Sequence, residues 1–348
     1  MGSLLAYSGL TTKIRAMQSK LITNAQYEEI SNLESVQELF AYLQKHPGYE
    51  HSFAGKDPAT VHRGDIEVLL RFDTFRDFSK IYNFANHKQR QYLKLYFMKY
   101  EVEVLKRYLR NIFDSREDNT YMVNVNDFEL HSSIRTEVVS QSQTIEEFVQ
   151  NLKDTIYYEP LAKLSHLDNL TLFDYEMCLD LFLYTTIWKS KNKYFKGQEL
   201  EIITHSYGRK IDMLNIAWIY RAKKYYNIDN KEIYSFLIPV NYKLKKDETI
   251  ALVESEDMET YFKVLQDSHY GRYLNLNKGS LENMSLEQTE EAVLTRVHVK
   301  DYEHEPYSIA TINTYLYLKE REISKLVTAT ECIRYGYPAK EIYRQLTI

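Results

Sequence analysis

The amino-acid sequence predicts an all-α fold made of three similar helical units. Three observations support this: glycine and proline are scarce, two sequence marks recur about 110 residues apart, and apolar residues follow helical spacing. The chain has only 10 Gly and 6 Pro in 348 residues. Because average usage is roughly 7% Gly and 5% Pro, this composition favours long helices over a tight-turned β architecture.

The first mark is a helix start, followed by apolar residues and then a tyrosine. Two clear copies cover residues 35–43 and 144–152, and a weaker one covers 255–265 with its register shifted by one or two residues. In the two clear copies a hydroxyl residue precedes a glutamate by three positions. This is the spacing of a capping box, in which both side chains bond to helix N–H groups. The tyrosines that follow the three copies are Tyr49, Tyr158 and Tyr270.

The second mark is an acidic residue, an apolar residue directly after it, and another apolar residue three positions further on. The three acids are Glu101, Asp212 and Glu322. They lie 111 and 110 positions apart, and each follows the tyrosine of its own copy by 52 to 54 positions. Because two independent marks share one period, we interpret the pattern as a threefold structural repeat.

Helical spacing continues beyond the second mark in the first and third copies, where four residues in each copy form one stripe. They are Val102, Leu105, Leu109 and Ile112, and then Ile323, Leu326, Thr330 and Ile333. No Gly or Pro occurs between Phe78 and Phe113, which predicts one long helix or two that abut. Gly336 followed by Pro338 predicts the end of the last long helix.

The repeat divides the chain into an N-terminal helix and three helical units. The predicted bounds are 1–34 for the helix and 35–125, 126–240 and 241–348 for the three units. Polar, turn-rich stretches are interpreted as loops, and they cover residues 114–126, 226–230 and 275–288.

Composition argues against several classes of function. The 44 Lys and Arg against 49 Asp and Glu give a net charge of −5, unlike the basic surface of a nucleic-acid-binding protein. No segment reaches the roughly 18 apolar residues of a membrane-spanning helix. Cys178 and Cys332 are too few for a disulfide framework or a thiolate metal site. The 31 Tyr suit helix cores and interfaces that are partly wet.

The sequence shows no catalytic motif and predicts no cofactor. Residues 55–57 (Gly-Lys-Asp) lack the upstream glycine and the hydroxyl of a phosphate-binding loop. His298, Asp301 and His304 have the spacing of a helical metal site, but residues 301–305 are a run of solvated charge, so we predict no metal ion. Two further histidines are interpreted as surface residues, namely His46 and His51.

Three segments resemble the C or d subunit of V-type and archaeal-type ATPases. They are YSGLTTKIRAMQSKL at 7–21, KIDMLNIAWIYR at 210–221, and the ending at 305–323. The second is similar to the family's run of an acid, an apolar residue, Asn and a closing Arg. The chain departs from that run at Val104, where Asn is usual, and at Glu331, where the other copies carry Arg110 and Arg221.

This resemblance implies a funnel of three helical units around a pseudo-threefold axis. It also implies a non-catalytic central-stalk subunit of a V-type rotary ATPase, without nucleotide binding, on the cytoplasmic face of the membrane as a peripheral part of the complex. Its partners would be the rotor axle and the membrane proteolipid ring. The subunit would transmit torque for proton or sodium transport, or for ATP synthesis in reverse.

Six residues are candidates for the interfaces or the funnel lining: Arg15, Glu101, Arg110, Asp212, Arg221 and Glu322. For the three acids we favour exposed helix charges or salt bridges to the two nearby arginines, with a polar lining of the funnel as the lesser alternative. The alternative function is an α-helical repeat adaptor that binds other proteins. Such adaptors have repeats of about 20 to 45 residues, far from the period seen here.

Overall fold

The computed structural model describes residues 2–114, 126–164, 167, 169–274 and 286–347. These residues form helices joined by turns and contain no strand, so the all-α prediction is confirmed for them. Within the same stretches, every helix is too short or too polar to span a lipid bilayer.

The described residues hold eighteen α-helices, numbered here in chain order. They are α1 Gly2–Gln18, α2 Asn24–Ser31, α3 Val36–Lys45, α4 Glu50–Phe53, α5 Arg63–Phe84, α6 His87–Asp114, α7 Asn126–Glu129, α8 Thr136–Val139, α9 Ile145–Asn151, α10 Tyr158–Leu164, α11 Leu172–Tyr194, α12 Gly197–Arg221, α13 Asn230–Phe236, α14 Lys246–Glu254, α15 Met258–Asp267, α16 Leu286–His304, α17 Ile309–Arg334 and α18 Ala339–Thr347. A π-helical turn, Ala222–Tyr226, extends α12.

The chain divides into two compact units. Unit 1 holds the described residues at 2–94, 126–136 and 305–347, and unit 2 holds those at 95–114, 137–164, 167, 169–274 and 286–304. In unit 1 the apolar core joins side chains of α2, α3, α5, α17 and α18, among them Phe40, Leu326 and Leu346. In unit 2 an apolar core joins α12, α14 and α15, with Ile216 and Phe262 among its members.

The helix starts predicted from the first mark are confirmed. Ser35 Oγ accepts from Glu38 N at 3.2 Å and starts α3, and Thr144 Oγ1 accepts from Glu147 N at 3.2 Å and starts α9. In the third copy the capping side chain is Asp257, which starts α15. A short polar side chain at this position bonds an N–H group that the helix itself leaves unpaired.

The segment without Gly or Pro forms two abutting helices, the second of the two predicted alternatives. α5 ends at Phe84 and α6 begins at His87. Asn86 Oδ1 accepts from Gln89 N at 3.0 Å, and Gln89 Oε1 accepts from Asn86 N at 2.8 Å. This reciprocal cap starts a new helix without any glycine or proline.

The predicted end of the last long helix is also confirmed. α17 ends at Arg334, and Gly336 has a φ of +68°, in the left-handed region that glycine adopts without steric cost. Tyr337 N donates to Cys332 O at 3.0 Å, which bonds one of the last helix carbonyls.

The N-terminal segment and the loops differ in part from the predictions. Residues 2–31 form two helices rather than one, because the Thr23 side chain caps a new start at Asn24. Of the predicted loop at 226–230, Asn227 adopts the left-handed conformation and α13 begins at Asn230. Most of the other two predicted loops lies outside the described residues. However, residues 286–288 belong to α16, which therefore begins earlier than predicted.

Candidate functional site

Each acid of the second mark accepts a hydrogen bond from a buried tyrosine hydroxyl. The pairs are Tyr157–Glu101, Tyr270–Asp212 and Tyr49–Glu322. The donor–acceptor distance is 2.7 Å in the first two pairs. In chain order, the acid of one copy pairs with the tyrosine region of the next copy, and the acid of the third pairs with the tyrosine of the first. In the first pair the donor is Tyr157, which directly precedes Tyr158, the tyrosine of the sequence mark.

Burial of the three acids corrects one expectation from the sequence. Glu101, Asp212 and Glu322 are 6%, 0% and 4% exposed, so they are neither exposed helix charges nor partners of the two arginines. A buried carboxylate requires hydrogen-bond donors, and the tyrosine hydroxyls provide them. Their predicted role as interface or funnel-lining residues is not tested and stays a prediction.

The two arginines form surface ion pairs with other acids. Arg110 Nε lies 2.6 Å from Glu176 Oε1, and Arg221 Nη2 lies 3.0 Å from Glu287 Oε1. In both pairs the acid follows the arginine by 66 positions. At the corresponding position of the third copy, Glu331 forms an ion pair with Arg63. The departure noted at Glu331 therefore keeps an ion pair but reverses its charges.

Asp212 fixes a backbone segment that follows α13. Its two carboxylate oxygens accept from the backbone N–H groups of Tyr242, Lys243 and Leu244 at 3.1, 2.6 and 2.9 Å. Burial raises the pKa of Asp212 above its ordinary value, and these bonds with that of Tyr270 oppose the rise. The carboxylate therefore joins α12 to the segment that precedes α14.

Asn215, one turn after Asp212, holds the same segment further upstream. It is 1% exposed, its Nδ2 donates to Ile238 O at 3.0 Å, and its Oδ1 accepts from Ile238 N at 2.9 Å. An amide side chain can accept from a backbone N–H and donate to a backbone C=O at the same time, whereas an ionised carboxylate can only accept. This explains why the run in the second copy carries both an acid and Asn.

The third pair is part of a larger buried charge network in unit 1. Lys319 Nζ lies 2.8 Å from Asp73 Oδ2 and 3.3 Å from Glu322 Oε1, and it lies 3.9 Å from the Tyr49 ring centroid. Burial alone would lower the pKa of Lys319, but the two carboxylates outweigh that effect and raise the pKa above its ordinary value. The ammonium therefore stays charged in the core.

Sequence reasoning missed Lys319, Asp73 and Asp77 as members of this network. Asp77 accepts from the Tyr315 hydroxyl and pairs with Lys80 at 2.8 Å. A weak signal was available, because Asp73 and Asp77 share one face of α5 with the apolar residue Leu70. Acids in such a position are buried only when they are paired.

The structure leaves Arg15 exposed and buries His46. Arg15 is exposed, as an interface candidate must be, and its guanidinium lies 5.6 Å from the Tyr307 ring centroid. His46, in contrast, is not a surface residue: it is 5% exposed, and its Nδ1 accepts from Gly48 N at 3.2 Å. The Pro-Gly turn folds the backbone over the ring. Burial, with Lys319 nearby, lowers the pKa of His46.

The three residues with metal-site spacing face different surroundings. His298 is 6% exposed, His304 is exposed with Nδ1 2.8 Å from Lys300 O, and Asp301 lies 3.5 Å from His205 Nδ1. Among the residues that the structure describes, no group of three or more His, Cys, Asp or Glu side chains could hold a metal ion.

The geometry and the sequence can now be compared with known proteins. A family model described as ATP synthase (C/AC39) subunit matches residues 10–345. The chain belongs to this family. The resemblance seen in the three segments of the sequence is thus confirmed over nearly the whole chain.

Relatives of the C/AC39 family match this chain over most of its length. The C subunit of the A-type ATP synthase from Pyrococcus abyssi is 25% identical over 342 residues, which are 97% of this chain and 89% of the relative. The corresponding protein from Pyrococcus horikoshii is 25% identical over 94% of this chain and 86% of its own length. The one from Methanosarcina acetivorans is 22% identical over 92% and 87%.

In this member of the C/AC39 family the buried pairs suit mechanical cohesion better than acid–base catalysis. Burial and the adjacent carboxylates raise the pKa values of Tyr157 and Tyr270 well above the ordinary value, so both hydroxyls stay protonated as donors. A catalytic acid or base needs a pKa near the working pH and access to a reacting group. The pairs instead bond one helical segment to another.

Proposed function

We propose that this chain is a non-catalytic central-stalk subunit of a V-type or A-type rotary ATPase. It acts as a socket that links the soluble rotor axle to the membrane proteolipid ring, as a peripheral part of the complex on the cytoplasmic face. There it transmits torque for ATP-driven proton or sodium transport, or for ATP synthesis in reverse. The observation that carries this proposal is the family match across residues 10–345.

The proposed architecture is a funnel of three similar helical units around a pseudo-threefold axis, with units at 35–125, 126–240 and 241–348. The order of the buried pairs supports it. In a closed ring of three units, the tyrosine hydroxyl of each unit donates a hydrogen bond to the acid of the preceding unit. The acid of the third unit must then accept from the tyrosine of the first. Glu322 accepts from Tyr49, 273 positions earlier in the chain, as such closure requires.

A socket that transmits torque must resist deformation, and the buried pairs support that role. Hydrogen bonds to an ionised partner are roughly twice as strong as neutral ones and are directional. The packing of helix cores at crystal-like density adds low compressibility. Together these contacts would let a helical socket turn with little internal slippage.

Three of the six candidate interface residues remain suited to contact with partners. Arg15, Arg110 and Arg221 are exposed, and arginine is over-represented among the residues that dominate binding energy in protein interfaces. For the three buried acids the funnel lining stays a prediction, and their hydrogen bonds to the tyrosine hydroxyls also support internal cohesion.

Purification from membranes tests the proposed role. A tagged chain isolated from detergent-solubilised membranes is expected to recover both a ring proteolipid and subunits of the catalytic head. Recovery of soluble helical partners alone would favour the adaptor. As a control, the purified chain by itself should neither bind nor hydrolyse ATP in calorimetry and phosphate-release assays.

Measuring how ATP hydrolysis is coupled to ion transport gives a stricter test of the same role. A complex reconstituted without this chain should keep ATP hydrolysis in the head but lose ion transport into vesicles, and adding the chain back should restore transport. Ion transport that persists at the full rate without the chain would contradict the socket role.

A further inference from the structure

A pocket of about 210 Å³ lies in unit 1 between α1, α5 and α17. Its charged lining consists mainly of basic side chains. The residues used below are Lys13, Lys20, Arg76, Asp77, Lys80 and Lys319. We call it the basic pocket. The proposed rotary function does not depend on it.

The floor of the basic pocket is electrostatically balanced by its own neighbours. Lys319 is 2% exposed and lies between the carboxylates of Asp73 and Glu322 at 2.8 and 3.3 Å. Asp77 is also buried and lies 2.8 Å from Lys80 Nζ. Two ammonium groups and three carboxylates therefore give the floor a formal charge of −1. The floor by itself would not attract an anion.

The mouth of the pocket has an excess of positive charge. Among the described residues, the Arg76 side chain makes no hydrogen bond and no ion pair, although it is half-buried. Lys20 Nζ contacts the Pro47 carbonyl at 3.4 Å, and Lys13 Nζ lies 5.4 Å from the Phe84 ring centroid. These three cations bring the formal charge of mouth and floor together to +2.

An unpaired, half-buried guanidinium beside two ammonium groups is a suitable receptor for an oxyanion. Arginine binds phosphate oxygens through two parallel N–H bonds, and lysine adds a point charge. The volume of about 210 Å³ limits the ligand, because pockets for drug-sized organic ligands start at about 300 Å³. A whole nucleotide is therefore too large.

We propose that the basic pocket binds a compact phosphate-bearing group with at least two negative charges. Either free pyrophosphate or the phosphomonoester headgroup of a lipid such as phosphatidic acid has this chemistry. Arg76 is the principal ligand residue, and Lys13 and Lys20 neutralise the remaining charge. The floor network holds α5 and α17 in place behind the ligand.

Calorimetry with inorganic pyrophosphate at low salt tests whether the pocket binds a free, soluble phosphate compound. The whole chain is expected to bind one equivalent, with an affinity that falls as NaCl rises from about 50 to about 200 mM because the contacts are ionic. Arg76→Gln should weaken binding at least about tenfold, the loss expected for a hydrogen bond to a charged group. Because Arg76 makes no hydrogen bond or ion pair with the other described residues, the variant should keep the melting temperature of the wild type.

Two variants control for charge and position. Lys13→Gln should also weaken binding, whereas Lys340→Gln, which removes an exposed lysine on α18 outside the pocket, should leave the affinity unchanged. Equal losses in both variants would show non-specific attraction to net charge and would overturn the proposal.

Co-sedimentation with vesicles tests the lipid source. Binding to vesicles that contain phosphatidic acid, but not to phosphatidylcholine vesicles, and its reduction in Arg76→Gln would identify a lipid headgroup as the ligand. Pyrophosphate binding that depends on Arg76, without vesicle binding, would identify a soluble ligand. If neither probe binds, or if Arg76→Gln binds both as well as the wild type, the proposal is wrong.

Discussion

A buried carboxylate such as Asp212 is stable only because several donors converge on it. It accepts three backbone N–H bonds and the hydroxyl of Tyr270. Burial favours its neutral form, and each donor favours the charged form. The tyrosine is the donor that a single substitution can remove without disturbing the backbone.

Tyr270→Phe is expected to lower the free energy of unfolding by about 2 kcal/mol, since it removes a hydrogen bond to a charged group. Tyr261→Phe is the matched control: its hydroxyl donates to the neutral carbonyl of Ile216 at 2.7 Å, so about 1 kcal/mol should be lost. Tyr225→Phe, at a side chain that is 64% exposed, should cost almost nothing. Urea denaturation measures all three, and equal losses for Tyr270 and Tyr261 would contradict the assigned role of the carboxylate.

The sequence identified the acids and tyrosines but not their pairing. Periodicity along a helix fixes which residues share a face, whereas Tyr49 and Glu322 are 273 positions apart and meet only through tertiary folding. In the second copy the sequence mark pointed to Tyr158, whereas its neighbour Tyr157 forms the pair with Glu101, and both residues are large and amphipathic. The structure buries Tyr157 fully and leaves Tyr158 half-buried.

Helix boundaries were the most predictable features, because caps are local. Ser35 and Thr144 start helices through a bond to an N–H group three residues away, which the sequence shows directly. The break between α5 and α6 has the same local signal, because Asn86 precedes Gln89 by three positions, but it was missed inside a polar stretch without Gly or Pro. The start of α2 at Asn24 was also missed, although Thr23 precedes Gln26 by the same three positions and forms a capping box with it.

Gly336→Ala tests the end of α17. The position has a φ of +68° and no atom within contact distance of an added Cβ, so the cost comes from backbone strain alone, about 1 kcal/mol. Gly9→Ala is the control: it lies in α1 with equally open surroundings, and alanine should stabilise that helix by up to about 1 kcal/mol. Opposite signs in urea denaturation are expected, and a stabilising Gly336→Ala would exclude the left-handed helix end.

For the whole molecule, the sequence predicted the helical class and the three recurring acids, while the partners of those acids had to come from the structure. The network around Lys319 shows why: its charges come from α5 and α17, which are more than 200 positions apart. Long-range pairing of charges leaves no periodic signal in a single sequence. The proposed threefold arrangement therefore depends on the period and on the order of the buried pairs together.

The stability of the chain in acid should depend strongly on His298. Burial, with Lys99 and Lys210 nearby, lowers the pKa of His298 from 6.5 to about 3. The unfolded chain thus takes up a proton near pH 6.5 that the folded chain refuses until about pH 3. Stability from this residue is present above pH 6.5 and is lost at about 1.4 kcal/mol per pH unit as the pH falls through that window.

His298→Phe should therefore flatten the dependence of the unfolding free energy on pH between about pH 6 and pH 4 by about that amount per unit. Urea denaturation at half-unit intervals measures the slope. His304→Phe, at an exposed histidine of the same helix, should leave the slope as in the wild type. If the two variants have the same slope, His298 is not neutral in the folded chain.

The reversed ion pair at Glu331 is expected to affect which helix α17 packs against during folding. Helices α6 and α12 present an arginine to a glutamate, but α17 presents Glu331 to Arg63 on α5. If α17 docked on α11 or α16 by mistake, Glu331 would meet Glu176 or Glu287, and repulsion between like charges would oppose the error. The opposite polarity of this ion pair would thus favour Arg63 over the two acidic positions on α11 and α16, although each surface ion pair adds little stability by itself.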